Sequence, residues 1–233
     1  MKDNELAELF DSNRAWAERR RQDDPQFFAR LAKQQSPKYL WIGCADSRVP
    51  ANEIVDLSPG ELFVHRNIAN VVVHSDMNCL AVLQFAIEIL RVEHVMVVGH
   101  YGCSGVAQTL KGGMEGVADN WLRHIQDVQL RHPQLFDSLD SQAQSDLLVE
   151  LNVLEGVRNV CRTTFVRDAW RSGQKLAVHG WVYGLSNGLL KDLGWTADAP
   201  NDLEADFLAA VKTAARHAVQ HSEHKRSAPG TLA

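Results

Sequence analysis

The chain has 233 residues, of which 45% are hydrophobic and 23% are charged, and its formal net charge at pH 7 is -5. This composition is typical of a globular protein with a sizeable single core. The net negative charge gives no overall positive field that would attract phosphate backbones. The charged amino terminus lacks the apolar core of a secretory signal, and no run of about 18 apolar residues occurs, so we expect a cytoplasmic protein that binds neither nucleic acid nor membranes.

The predicted elements begin with two helices. The stretch ELAELFDSNRAWAERR spaces apolar side chains along one helical face, and DPQFFARLAKQQ starts a second helix with Pro25 at a favoured first position. Together they predict an amphipathic N-terminal arm over about residues 1–35. Continuous apolar runs, typical of strands covered on both faces, follow along the chain: KYLWIGC, ELFVHR, HVMVVGH and KLAVHGWVYG.

Helical patterns separate these strands. DMNCLAVLQFAIEILR predicts one helix, and the stretch from Gln144 to Gly173 predicts one long helix that ends at Gly173. A last helical pattern leads into a polar tail. Strands alternating with helices predict an α/β fold, with a mostly parallel β-sheet flanked by helices. We expect one domain over residues 1–221 and a disordered tail over residues 222–233.

Polar side chains follow two of the predicted strands. In WIGCADSRVP, an extended backbone places Cys44, Asp46 and Arg48 on the same face, since they are two positions apart. In VVGHYGCSGV, His100 and Cys103 follow another strand, and glycines allow a sharp turn there. Ligands gather at the carboxyl ends of parallel strands, and two thiolates, an imidazole and a carboxylate suit tetrahedral zinc. The sequence therefore predicts a zinc site.

Either motif alone is a weak signal, because a cysteine at a strand end is often a small buried hydrophobic residue. Two such motifs after separate strands of one sheet favour a metal. The other thiols, Cys79 and Cys161, fall within apolar helical patterns, which predicts inert core residues.

The two ligand motifs resemble those of a known family. CADSR and GHYGC are similar to the zinc signature of the β-class carbonic anhydrases, and HRNIANVV, NWLRHI and VHGWVYGLSNGLL extend the similarity over about residues 30–195. The resemblance implies reversible hydration of carbon dioxide to bicarbonate and a proton, on zinc held by Cys44, His100 and Cys103. It also implies an Asp46–Arg48 pair, and the fourth zinc position is then either water or Asp46.

The chain also resembles a bacterial, bicarbonate-regulated subgroup in which the aspartate caps the zinc. The non-catalytic bicarbonate pocket of that subgroup matches Trp41, Arg66 and Tyr183. This implies an inhibitory bicarbonate site and an Asp46/Arg48 gate at the catalytic centre, in a homodimer or homotetramer. The alternative interpretation is that these three residues have only core and ion-pair roles.

Competing functions share parts of this site. A hydrolase of carbon disulfide or carbonyl sulfide could use the same zinc site, since its water-derived nucleophile can attack those carbons too. A structural zinc-binding protein would need four closed ligands, but Arg48 beside Asp46 would then be surplus. Redox chemistry by Cys44 and Cys103 is disfavoured because the chain places no Cys-x-x-Cys spacing there.

Overall fold

A five-stranded sheet forms the centre of the protein, in a computed structural model that describes residues 4–33, 36–46 and 48–227. In chain order the strands are β1 (Tyr39–Cys44), β2 (Leu62–Asn67), β3 (His94–His100), β4 (Ala177–Tyr183) and β5 (Leu190–Ala197). Their order across the sheet is β2-β1-β3-β4-β5, and only the β4–β5 pairing is antiparallel among these described strands. The predicted α/β fold with a mostly parallel sheet is confirmed.

Helices flank the sheet and fill the connections between strands. They are α1 (Asn4–Asp23), α2 (Phe27–Lys33), α3 (Ala51–Ile54), α4 (Met77–Gln84), α5 (Ser104–Leu110), α6 (Val117–Arg131), α7 (Ser141–Arg162), α8 (Thr164–Arg171) and α9 (Leu203–Ser227). A π-helical segment, Phe85–Ile89, continues α4, and short 3-10 turns cover Ile68–Asn70 and Pro133–Leu135. No helix in the described ranges combines the length and the apolar character that crossing a bilayer requires.

Helix α7 packs directly on the middle of the sheet because glycines remove side chains from the contact. A Cβ on Gly156 would lie 2.9 Å from Val97, and a Cβ on Gly99 would lie 2.8 Å from Val153, closer than real Cβ atoms approach. The opposite face of the sheet carries a smaller buried cluster: Trp41, Ala51, Leu62, Met96, Val98 and Tyr183. The carboxyl ends of β1 and β3 are therefore held between two packed layers.

Two details differ from the sequence predictions. The predicted single helix ending at Gly173 is wrong, since it is interrupted at Thr163, whose backbone is extended and whose hydroxyl donates to the Val160 carbonyl at 2.7 Å. Gly173 does follow the second of the two helices, with a φ of 75°. Strand β5 was not predicted, although its buried side chains alternate at Leu193, Trp195 and Ala197.

The last helix runs past the predicted boundary at residue 221. It extends to Ser227, so residues 222–227 are helical and not a disordered tail. The physical reason lies at Ser222, which is only 2% exposed and whose hydroxyl accepts from the Asp140 backbone N–H at 3.4 Å. This contact attaches the end of α9 to the residue that precedes α7. Residues 228–233 lie outside the described residues.

The N-terminal arm is helical, as predicted. Trp16 of α1 packs on Phe27 and Phe28, with ring centroids 6.5 and 5.7 Å away, so the two helices contact each other. On the same helix Leu6 and Phe10 are 65% and 67% exposed. The apolar side chains near the start of the arm are therefore not covered by the core of their own chain.

Candidate metal centre

Three of the predicted zinc ligands converge at one edge of the sheet. Cys44 ends β1, His100 ends β3, and Cys103 lies directly before α5. Their ligand atoms all lie within 4.8 Å of one another, and the two sulfur atoms are 3.9 Å apart. All three residues are buried. The parallel pairing of neighbouring strands β1 and β3 is what brings side chains so distant in sequence to one point.

The sulfur of Cys44 lies in a polar environment. It accepts hydrogen bonds from the backbone N–H groups of Ala69 at 3.2 Å and Asp46 at 3.3 Å. Ala69 adopts a left-handed conformation, with φ 61°, and its carbonyl accepts from the Asn152 side chain at 2.9 Å. Contact with the Cys103 thiol, together with His100 and these N–H groups, lowers the pKa of Cys44. These contacts therefore favour the thiolate form of Cys44, whereas the contact with Cys44 and burial raise the pKa of Cys103.

The imidazole of His100 is oriented for metal binding. Its Nδ1 lies 3.1 Å from the Tyr101 carbonyl oxygen, which accepts only if Nδ1 carries the proton. The buried Nε2 atom then presents a lone pair, and it has no hydrogen-bond partner among the described residues. A buried polar atom without a partner is costly, and a metal ion at this point would satisfy it. The donor set and this atom together fit a zinc ion.

Asp46, expected to pair with Arg48 and a candidate for the fourth zinc ligand, forms that pair in this structure. Arg48 donates from Nε to Oδ1 at 3.2 Å and from Nη2 to Oδ2 at 2.9 Å. The second oxygen is 4.0 Å from Nε2 of His100. The hydrogen bonds from Arg48 lower the pKa of Asp46, so this side chain stays a carboxylate. Asp46 thus lies beside the centre, within a short movement of it.

The three residues of the predicted bicarbonate pocket line one cavity. Trp41, Arg66 and Tyr183 face it together with Asp46 and Arg48, and its volume is about 30 Å³, which suits only a very small ligand. Arg66 donates to the Cys44 carbonyl at 2.8 Å. Among the described residues no carboxylate forms an ion pair with the Arg66 guanidinium. Burial lowers the pKa of Arg66. The positive charge therefore faces a cavity next to the metal ligands.

A second group of possible ligands has a structural explanation. Side-chain atoms of His65, Asp76 and Cys79 also lie within 4.8 Å of one another. Asp76 caps α4, accepting from the N–H groups of Asn78 and Cys79 at 3.0 and 3.3 Å. Burial, with a smaller effect of the Asp76 charge, raises the pKa of Cys79 to about 12. A helix cap and a core thiol account for these contacts.

Sequence reasoning missed a buried polar network beside the centre. The hydroxyl of Tyr101 donates to Glu150 Oε1 at 2.5 Å, and Lys191 Nζ donates to the same oxygen at 2.7 Å. One signal was available, since Glu150 interrupts the apolar stripe of α7 between Leu147 and Leu151. A carboxylate at a buried position indicates a specific partner.

Comparisons with known proteins agree with this geometry. A family model described as "Carbonic anhydrase" matches residues 39–190. A carbonic anhydrase of Emericella nidulans is 47% identical over 186 residues, which cover 79% of this chain and 82% of that protein.

Two solved structures share the fold. The Coccomyxa β-carbonic anhydrase in complex with acetazolamide has a TM-score of 0.82 and 35% identity, over 97% of this chain and 99% of that chain. A structure from work on two tetrameric β-carbonic anhydrases of Sordaria macrospora has a TM-score of 0.79 and 36% identity, over 84% of this chain and 100% of that chain. The similarity thus extends over most of the described fold and includes both ligand motifs.

Proposed function

Because this chain belongs to the β-class carbonic anhydrases, which are zinc enzymes, we propose that Cys44, His100 and Cys103 hold its zinc ion. Its activity is that of a carbonic anhydrase, the reversible hydration of carbon dioxide to bicarbonate and a proton. The observation that carries the ligand assignment is the buried Nε2 of His100, which lies beside two thiols and has no partner among the described residues.

Zinc in such a site supplies a Lewis acid and an activated water. The protein's own contribution is the placement of Asp46. Held by two hydrogen bonds from Arg48, its carboxylate is available to accept a hydrogen bond from the reacting water and to orient it. If Arg48 released it, Asp46 could become a fourth ligand and close the centre to water. We propose that these two residues form a gate.

The cavity beside the gate supports a regulatory bicarbonate site. Trp41, Arg66 and Tyr183 line this cavity. The Arg66 guanidinium would grip a planar anion, and the indole N–H of Trp41 and the phenol O–H of Tyr183 would add directed hydrogen bonds. An effector shifts an equilibrium only by binding its two states unequally, so bicarbonate inhibits if it prefers the closed centre. Membership of the bicarbonate-regulated bacterial subgroup is part of this proposal.

Assembly into a homodimer or homotetramer is also proposed. One structural relative comes from work on tetrameric enzymes, and the N-terminal arm of this chain leaves Leu6, Leu9 and Phe10 at least 64% exposed. Apolar side chains of this size are usually covered, and a second copy of the chain would cover them. A cytoplasmic location stays a prediction.

The test combines metal analysis with stopped-flow carbon dioxide hydration between about pH 7 and pH 9. We expect one zinc ion per chain and activity that rises with pH. Two thiolates cancel the charge of zinc, so the ion lowers the pKa of its bound water less than a zinc ion held by three histidines does. Absence of zinc would contradict the proposal. Zinc without hydration would favour a structural site or a hydrolase of carbon disulfide or carbonyl sulfide.

A further inference from the structure

A buried polar network connects the metal centre to the middle of the fold. The carboxylate of Glu150, on α7, is only 7% exposed and accepts at one oxygen from both the Tyr101 phenol and the Lys191 ammonium. A charge so deeply buried is costly unless it is paired and hydrogen-bonded. The two donors meet that requirement, and they join three separate elements: the loop after β3, α7 and β5.

Tyr101 occupies the decisive position in this network. It lies between His100 and Cys103, and its own carbonyl accepts the Nδ1–H of His100 at 3.1 Å. Its backbone N–H donates to the Tyr183 carbonyl at 3.1 Å, which attaches the main chain to β4. The phenol attaches the side chain of the same residue to α7. Tyr101 is therefore held both by its backbone and at the tip of its ring.

Apart from these hydrogen bonds, the loop between the two ligands is fixed by the Tyr101 ring, which packs against the main hydrophobic core. Gly102 turns it with a φ of 71°, and a Cβ added there would meet no atom within 4 Å, so this residue contributes no side-chain packing. A ligating histidine is oriented by the partner of its other nitrogen, and movement of that partner rotates the ring. The position of the Tyr101 carbonyl thus decides where Nε2 of His100 points.

We propose that Glu150 is a positioning residue of the metal centre: by holding the Tyr101 phenol, it fixes the carbonyl that orients His100. The inference rests on the proposed function, because it takes His100 as a zinc ligand. The Tyr101 O–H is the donor in this contact, and the Glu150 oxygen that accepts it also accepts from Lys191. Lys191 balances the charge of Glu150 and keeps the carboxylate in place.

The experiment measures zinc loss from the full-length, zinc-loaded protein in excess chelator, followed with a metallochromic dye. Tyr101→Phe removes only the hydroxyl and should accelerate zinc loss about 10-fold, the lower end of the effect of outer ligand partners on metal affinity. Glu150→Gln should have a smaller effect, since the amide oxygen still accepts a hydrogen bond. In the cobalt-substituted protein, Tyr101→Phe should also shift the visible absorption bands, which report ligand geometry.

Thr163→Val is the matched control, because it also removes the hydrogen bond of a buried hydroxyl. That hydroxyl lies at the end of α7 and donates to the Val160 carbonyl at 2.7 Å. It should lower the thermal unfolding temperature without changing zinc loss or the cobalt spectrum. If Glu150 acts through Tyr101, the double variant Tyr101→Phe/Glu150→Gln should lose zinc no faster than Tyr101→Phe alone.

The outcomes separate this inference from the proposed function. Wild-type protein that binds no zinc would overturn both. The positioning role of Glu150 alone would be overturned if the wild-type protein holds one zinc ion but Tyr101→Phe loses zinc no faster than wild type or Thr163→Val. Additive effects in the double variant would show that Glu150 acts by another route and would also overturn it.

Discussion

The four cysteines fall into two pairs that are all buried but have different surroundings. Cys44 and Cys103 lie at the ends of a strand and a loop. Contact between the two sulfurs, with backbone N–H groups around Cys44, lowers the pKa of Cys44, and the same contact together with burial raises the pKa of Cys103. Cys79 and Cys161 lie within α4 and α7, where burial raises the pKa of each thiol to about 12. Burial alone therefore does not decide whether a thiol ionises. The polar groups beside the sulfur decide it.

The largest loss is expected when one thiol of the first pair is changed. Cys103→Ser should abolish zinc binding and essentially all carbon dioxide hydration, because a hydroxyl is a poor substitute for a thiolate ligand. Zinc content by atomic emission and stopped-flow hydration measure both effects. Retention of one zinc ion per chain with full activity would show that Cys103 is not a ligand.

A smaller loss is expected at the gate. Arg48→Ala should reduce hydration about 10- to 100-fold with zinc content unchanged, since removing an outer partner misplaces the group that it orients. Protonation is not the reason: Arg48 lowers the pKa of Asp46, and without it that pKa returns toward the ordinary value of 3.8, still far below neutral pH. Asp46→Asn should lose activity as well, and full activity of either variant at every pH would contradict the gate.

The adjoining pocket predicts a change in regulation. Tyr183→Phe should raise the bicarbonate concentration for half-inhibition about 10-fold, because a hydrogen bond to a charged group contributes at least about 1.5 kcal/mol. Tyr39→Phe is the control, since Tyr39 packs in the same small cluster but does not line the cavity. Equal inhibition of wild type and Tyr183→Phe would remove the phenol from the proposed site.

The smallest effect on chemistry should come from the second pair. Cys161→Ser makes the same change as Cys103→Ser, but in the core of α7. It should leave zinc content and hydration unchanged and reduce the free energy of unfolding by about 1 kcal/mol, because a buried hydroxyl costs more than a thiol and recovers part of this by bonding to its own helix. Denaturant unfolding measures the loss. Release of zinc from this variant would erase the distinction between the pairs.

Much of the fold was predictable because its signals are local. Apolar runs located β1 to β4 within a few residues, and Gly173 marked a helix end. The break at Thr163 was hidden, since the apolar pattern continues across it and only the extended backbone of one residue interrupts the helix. Strand β5 was missed because charged Lys191 and Asp192 and a glycine at 194 dilute its alternation.

The kinds of ligand and their placement after strands were predictable from the sequence, because strand runs and the two-residue spacing of Cys44, Asp46 and Arg48 are local properties. Which distant groups meet depends on the tertiary structure. It brings Cys44 and Cys103 together across 59 residues. It also places Glu150 against Tyr101 across 49 residues. These contacts depend on strand order and on the close approach of α7 to the sheet, which no local pattern specifies.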